Sequence, residues 1–445
     1  VTAFHHDVLG STTVILPGDE EYERASTVSA RRGEPAIIVR PADAAQTADA
    51  VRLARENGLV LSIRCGGHSG SGHGTNDGGM VIDLSGLHTV EVLEGDRVRI
   101  GGGTTWGAVA ETLRTFDLAV TSGDTASVGV GGLTLGGGVG WMVRERGLAL
   151  DNLLEAEVVT ADGSTLVANA GENADLFWAI RGGGGNFGVV TSFTFQAQQL
   201  DGVHAGAISF GATDVAALLR GWRDVMRAAP ERLNTTFFAM PAFGDSPGGA
   251  QVLVCYAGSD EAAASAAIAP LLALPAVSGS SIERTAYSEI LVESQHAPEG
   301  VRVLDNNAFA ADFSDEVVVA VARMYAALPG SVLMIRYLRG AFNRVEPDAT
   351  AFGYRDSEVL LISAAFFPPD APTEALERYQ AQWNTLLPYI QGLYGNFTSI
   401  TSEIATPLMY PPATLERLRE VKGRYDPENL FDQNLNIVPA AMSLR

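Results

Sequence analysis

Cysteine is almost absent: Cys65 and Cys255 are the two in 445 residues. That excludes a disulfide scaffold, and their wide separation fits no zinc-site spacing, so both are read as free thiols. Basic residues are scarce too, with 30 Lys and Arg against 52 Asp and Glu and a formal charge of −22. Such a surface repels polyphosphate and anionic membranes, so nucleic acid and membrane are not expected partners. No apolar run is long enough to span a bilayer, and the opening VTAFHHDVLG lacks the basic and apolar regions of a signal peptide. A cytoplasmic location is favoured on this ground, while Val as first residue leaves secretion after leader removal open.

Glycine, by contrast, is abundant: 49 residues, gathered mainly between 66 and 188. Arg64-Cys65-Gly66-Gly67-His68-Ser69 directly follows an apolar run at 59–63, so a short strand delivers a glycine turn carrying a histidine. A second block spans 128–138; taken alone it reads equally well as close backbone packing. The third, Gly183-Gly184-Gly185-Asn186-Phe187-Gly188, formally satisfies G-x-G-x-x-G. Its context is wrong for a Rossmann fold, because 175–180 reads as helix before it and 189–195 as strand after it. His68 and His73, even with Asp77, lack a further ordered ligand pattern and make a poor metal site.

With 46% hydrophobic residues and this length, two units are expected, and the thinning of glycine places a boundary at 196–202. Strand, helix and strand at 36–41, from 43 and 59–63 suggest parallel pairing, followed by strands at 80–84 and 98–100 and a helix at 104–116. Beyond the boundary, apolar residues recur at helical spacing at 215–226, 316–328 and 373–390. Strands are predicted at 234–240, 251–256, 332–338 and 358–366, as an antiparallel sheet backed by helices. Alternation in 332–338 puts Leu333, Ile335 and Tyr337 on one face and Met334 and Arg336 on the other. Tyr337 is taken as a candidate substrate contact, against the alternative of an ordinary buried tyrosine.

The three blocks in this order, closed by Tyr425-Asp426-Pro427-Glu428-Asn429-Leu430-Phe431, resemble the berberine-bridge-enzyme-like flavoprotein oxidases with a PCMH-type FAD domain. In motif wording the chain is similar to singly linked bacterial members such as hydroxynicotine oxidases. The resemblance implies an α+β fold: a PCMH-type FAD-binding domain of two small α/β subdomains, plus a substrate domain. The expected bounds are 1–200 for FAD, 201–404 for substrate, and 405–445 returning to the FAD domain. His68 matches the histidine that bonds covalently to the flavin. Relatives with a second bond carry a cysteine where this chain has Thr125, so FAD is expected to be linked through His68 only. Cys65 does not match that position.

The resemblance further implies FAD contacts from Arg64, Cys65, Gly66, Gly67, His68, Ser69, His73, Thr121, Gly123, Thr125, Val128, Gly131, Gly132, Gly137, Val190, Asn434 and Asn436. Valine at position 128 is associated with oxygen as acceptor, although a β-branched strand residue needs no such role. Asn186 and Asn396 are candidate catalytic amides, the former equally readable as a turn residue. Phe397 stands where several relatives supply a tyrosine. The implied reaction removes hydride from a C–N or C–OH carbon of a small organic substrate and passes the electrons to oxygen, giving hydrogen peroxide. A flavin dehydrogenase or oxygenase, or a flavin carrier without turnover, are the alternatives. Substrate identity and oligomeric state have no motif.

Overall fold

The computed structural model describes residues 9–29, 31–211, 214–241, 248–293, 301–400 and 402–440. The amino-terminal sheet pairs β1 (Thr13–Ile15), β2 (Ile37–Arg40), β3 (Leu61–Arg64) and β4 (Met80–Asp83) in the order β1-β2-β4-β3. β2 and β3 both run parallel to β4, while β1 is antiparallel. The expected parallel unit is therefore present, with β4 inserted between its two strands. The connecting helix Ala44–Glu56 starts where the Asp43 carboxylate accepts the Gln46 amide at 2.8 Å, and it buries Ala48, Val51 and Ala54 against the sheet.

Next come β5 (Val90–Leu93), β6 (Arg97–Gly101), the short β7 (Leu118–Ala119), β8 (Leu153–Val159), β9 (Thr165–Asn169), β10 (Val189–Gln196) and the short β11 (Gln198–Gln199). A five-stranded antiparallel sheet runs β5-β6-β10-β8-β9, and β7 pairs with β11. The helix predicted at 104–116 is Trp106–Arg114, with Thr105 as its cap. Most of the block at 128–138 proves to be a helix, Val130–Gly136. Tertiary contact overrides the poor helix propensity of its glycines.

The largest sheet contains β12 (Val203–Phe210), β13 (Leu233–Met240), β14 (Gly249–Ala257), β15 (Val277–Ser280), β16 (Glu283–Thr285), β17 (Arg302–Ala310), β18 (Ser331–Tyr337) and β19 (Val359–Phe367). Its order is β15-β12-β14-β13-β18-β19-β17, with β16 also on β12, and every pairing is antiparallel. Helices Val215–Ala228, Glu261–Leu272, Asp315–Ala326 and Thr373–Asn384 cover one face, where Trp222, Phe237, Phe313 and Ile335 share one core. The helix expected over 373–390 stops at Asn384 and resumes as a single turn at Leu387–Tyr389, since Pro388 cannot supply a helical N–H.

The opposite face meets the amino-terminal half. Val139, Val143 and Leu148 pack there with Phe309, Phe342 and Leu360. Arg144 pegs the junction: its guanidinium donates to the carbonyls of Arg339 (2.9 Å), Pro230 (3.1 Å) and Ala229 (3.1 Å), among others. Among the described residues no helix is long and apolar enough to cross a membrane.

Candidate active site

At the end of β3, the Arg64 guanidinium donates to the carbonyls of Arg24 and Ala25, at the carboxyl end of the helix Tyr22–Ser26. The side chain thus fixes the start of the turn and offsets that helix terminus. Gly67 is left-handed (φ +71°), which reverses the chain before His68. Gly66 then meets the second block backbone to backbone: a Cβ there would lie 2.4 Å from the Gly129 nitrogen and 2.8 Å from the Ser127 carbonyl oxygen. Cys65 is locked in the same contact, donating to the Gly102 carbonyl at 2.9 Å. Burial pushes its thiol up to about 11, so it stays protonated and a poor nucleophile at neutral pH.

The same junction holds most of the other expected cofactor residues. Gly131 packs near the Gly102 carbonyl, whereas Gly132 is exposed, with open space where a Cβ would be. Thr121 is buried beside the Gly147 carbonyl, and Gly123 faces Leu133. Thr125 donates to Asp124 at 3.2 Å and forms a bridge with Val292; Val128 is half-buried. Gly137 packs on the Tyr394 ring, Val190 is buried in β10, and Ser69 is exposed.

This junction suits a polar, flat cofactor. Ser127 Oγ and His73 Nε2 are among the buried polar atoms with no hydrogen-bond partner in the described residues. Burial, then nearby Arg31, lowers the His73 pKa and favours the neutral ring, which can donate or accept one hydrogen bond at each nitrogen. Gly132, open where a Cβ would be, leaves room for a ligand to approach the main chain.

The carboxyl-terminal motif is a staple for this wall. Lys422 Nζ, fully buried, donates to Asp426 at 2.6 Å and to the carbonyls of Asn186 (2.7 Å) and Phe431 (2.9 Å). Asp426 in turn accepts the Leu430 and Phe431 amides. Asn434 donates to the Phe431 carbonyl at 3.0 Å, and the Asn436 carbonyl accepts from Thr406 at 3.0 Å.

Asn186 belongs to the same staple. Its amide donates to the carbonyls of Gly183 (2.8 Å) and Leu435 (3.2 Å) and accepts from the Ile437 amide (2.9 Å). Placing it among catalytic amides is corrected by these bonds, because both ends of the buried side chain are already used to tie the third glycine block to the carboxyl-terminal segment.

Tyr337 needs a correction as well. It points into the helix-covered core, with its ring 6.0 Å from that of Trp222 and its hydroxyl donating to Glu358 at 3.1 Å. The alternation read from sequence is right, but the helices cover the Tyr337 face, so it is Arg336 that looks toward the glycine blocks. Arg336 pairs with Asp124 and lies 5.6 Å from the centre of the Phe397 ring. Burial alone would raise the Asp124 carboxyl; Arg336 overrides this and holds it below the usual carboxylate range.

Asn396 is on the cleft side. It donates to the Leu133 carbonyl at 3.1 Å and to the Tyr394 hydroxyl at 3.0 Å, while the Gly138 amide donates to the same hydroxyl at 2.9 Å. Asn307 on β17 clamps this loop, accepting the Tyr394 amide at 2.7 Å and donating to the Phe397 carbonyl at 2.6 Å. Ser71, three residues past His68, reaches the Thr398 carbonyl at 3.2 Å. The histidine turn, helix Val130–Gly136 and the 394–398 loop therefore converge on one cleft. Asp124, Arg336, Asn307 and Tyr394 were not picked out from the sequence; the alternation in β18 identified the face opposite Tyr337 but not which face the helices would cover.

Residues 35–169 match the family model for an FAD binding domain, and residues 393–438 the model described as berberine and berberine like. The (R)-6-hydroxynicotine oxidase of Paenarthrobacter nicotinovorans is 31% identical over 451 residues, covering 96% of each chain. The crystal structure of 6-hydroxy-D-nicotine oxidase from Arthrobacter nicotinovorans superposes with a TM-score of 0.86 at 30% identity, covering 97% of this chain and 98% of that one. A glucooligosaccharide oxidase from Acremonium strictum, described with a 6-S-cysteinyl, 8α-N1-histidyl FAD, gives a TM-score of 0.83 at 25% identity, covering 99% and 100%. The glycine-built cleft and these whole-chain likenesses have one conclusion: the chain belongs to the berberine-bridge-enzyme-like family of FAD-linked oxidoreductases.

Proposed function

We propose that this oxidoreductase is an oxidase carrying FAD covalently on His68 alone, removing hydride from a C–N or C–OH carbon of a small or medium organic substrate and forming hydrogen peroxide from oxygen. Bound FAD supplies the hydride acceptor. The observation carrying the reading is the His68 turn lying backbone to backbone on the 127–129 turn; the family resemblance adds Thr125 at the position that it assigns to the linking cysteine of doubly linked relatives. Residues 1–200 with 405–445 form the FAD-holding unit in this reading, and 201–404 the substrate unit. The Lys422–Asp426 staple supports that division by tying the last segment to the third glycine block.

Gly132, with open space where a Cβ would be, permits close approach, Gly66, Gly67 and Gly131 shape the turns beside it, and Ser127 and neutral His73 offer polar atoms to the cofactor. Phe397 presents an aromatic face to the substrate side, and Asn396, its amide nitrogen held by Leu133 and Tyr394, has only its carbonyl oxygen left to offer there. With Phe397 in place of a tyrosine, a substrate hydroxyl proton goes to water, and a neutral amine requires no base. Half-buried Val128 supports oxygen as the acceptor by leaving room beside the cofactor.

Acid precipitation of the purified protein tests the link. The pellet should remain yellow and fluorescent, become colourless in His68→Ala, and stay yellow in Cys65→Ala. Flavin released from the native protein would refute covalent attachment; oxidation of a substrate without peroxide would make the enzyme a dehydrogenase or an oxygenase.

A further inference from the structure

The face of the large sheet that looks into the cleft carries one cation in a largely apolar setting. Strand register sets Phe309, Leu360, Arg336 and Thr236 in one row, and Asn307, Ile362, Met334 and Phe238 in the next. Arg336 is 5% exposed. One of its terminal nitrogens is bound to Asp124, while Nε has no hydrogen-bond partner among the described residues. A buried N–H without an acceptor is costly to keep, and a guanidinium offers its donors as a planar fork that matches a carboxylate.

We infer that Arg336 recognises a carboxylate on the substrate, so that the enzyme acts on apolar, aromatic-sized acids whose body lies over Met334, Ile362 and Phe397. The inference rests on the oxidase reading and names the substrate class for its cleft. Asp124 has a defined part: it compensates the buried cation before substrate arrives and holds the guanidinium in place. A molecule presenting only hydroxyls would leave that cation without an anionic partner beyond Asp124. An ester of the same shape would fill the apolar rows but lose the charge-assisted bonds.

The test is calorimetric binding to the flavin-loaded protein of phenylacetate, 3-phenylpropionate and indole-3-acetate, each against its methyl ester. At least one acid should bind about tenfold or more tightly than its ester, in line with a charged hydrogen bond. Arg336→Gln should abolish the preference by weakening the acid alone, and Arg336→Lys should retain part of it. Equal binding of acid and ester, binding of neither, or a preference that survives Arg336→Gln would overturn the inference. Melting curves of both variants verify folding, and the wild-type comparison stands without them. Flavin retention in acid is read separately, so a failed oxidase reading and a failed substrate assignment give different results.

Discussion

The two walls of the cleft are built from different material. On the FAD side, main chain packs on main chain: Gly66 on Gly129, and Gly102 on the Val190 carbonyl. On the other side, alternating side chains of β17, β19 and β18 form the surface, and identity at each position depends on which face the helices cover. A backbone wall needs glycine at fixed places and so writes a motif. A sheet wall needs only alternation, which is the same for either choice of face.

Five substitutions probe this contrast. Lys422→Ala strands Asp426 in the core behind the backbone wall and should cost about 3–5 kcal/mol, read as a fall in the urea midpoint with loss of flavin. A stable, flavin-loaded variant would show that the wall does not need its staple.

Behind the sheet, buried Glu358 pairs with Arg227 and Arg339. Burial would raise its carboxyl, but the hydrogen bonds from Arg227 and the Phe313 amide, aided by both arginines' charge, pull it down to about 2. The folded value lies below the unfolded one, so the pair stabilises above the ordinary carboxylate range. That contribution, roughly 3 kcal/mol, drains away as pH falls from about 4.5 toward 2. Glu358→Gln should flatten that part of the stability profile, and an unchanged slope would assign the acid loss elsewhere.

Gly129→Ala puts a Cβ 2.2 Å from Cys65 Sγ and should cost about 2–3 kcal/mol. Gly185→Ala, with nothing within 4 Å, should change the melting temperature very little; equal effects of the two would erase the distinction between packed and open glycines. A modest effect is expected from Tyr337→Phe, about 1 kcal/mol from the bond to Glu358, with turnover unchanged. A collapse of turnover there would assign Tyr337 a part in the reaction.

Several elements were readable because their signals are local. Asp43 and Gly58 bracket the helix Ala44–Glu56, and β-branched runs mark β2, β4 and β10. Strands β12 and β17 carry weaker signals: Gly206 interrupts the first, and the polar run Asp305-Asn306-Asn307 blurs the second. Asn186 stands out by its match to a family segment and Tyr337 by its place in an alternating strand, and both are ties within packed structure.

By itself the sequence determined the glycine turns, the position of His68 within them, the threonine at 125 and the carboxyl-terminal motif, because close backbone approach tolerates few residue types. Only the tertiary structure decided that Arg336 rather than Tyr337 faces the cleft, that Asp124 meets it across the two halves, and that Asn307 clamps the 394–397 loop. Those outcomes depend on contacts between residues far apart in the chain, and an alternating strand carries no mark of which side its neighbours will bury.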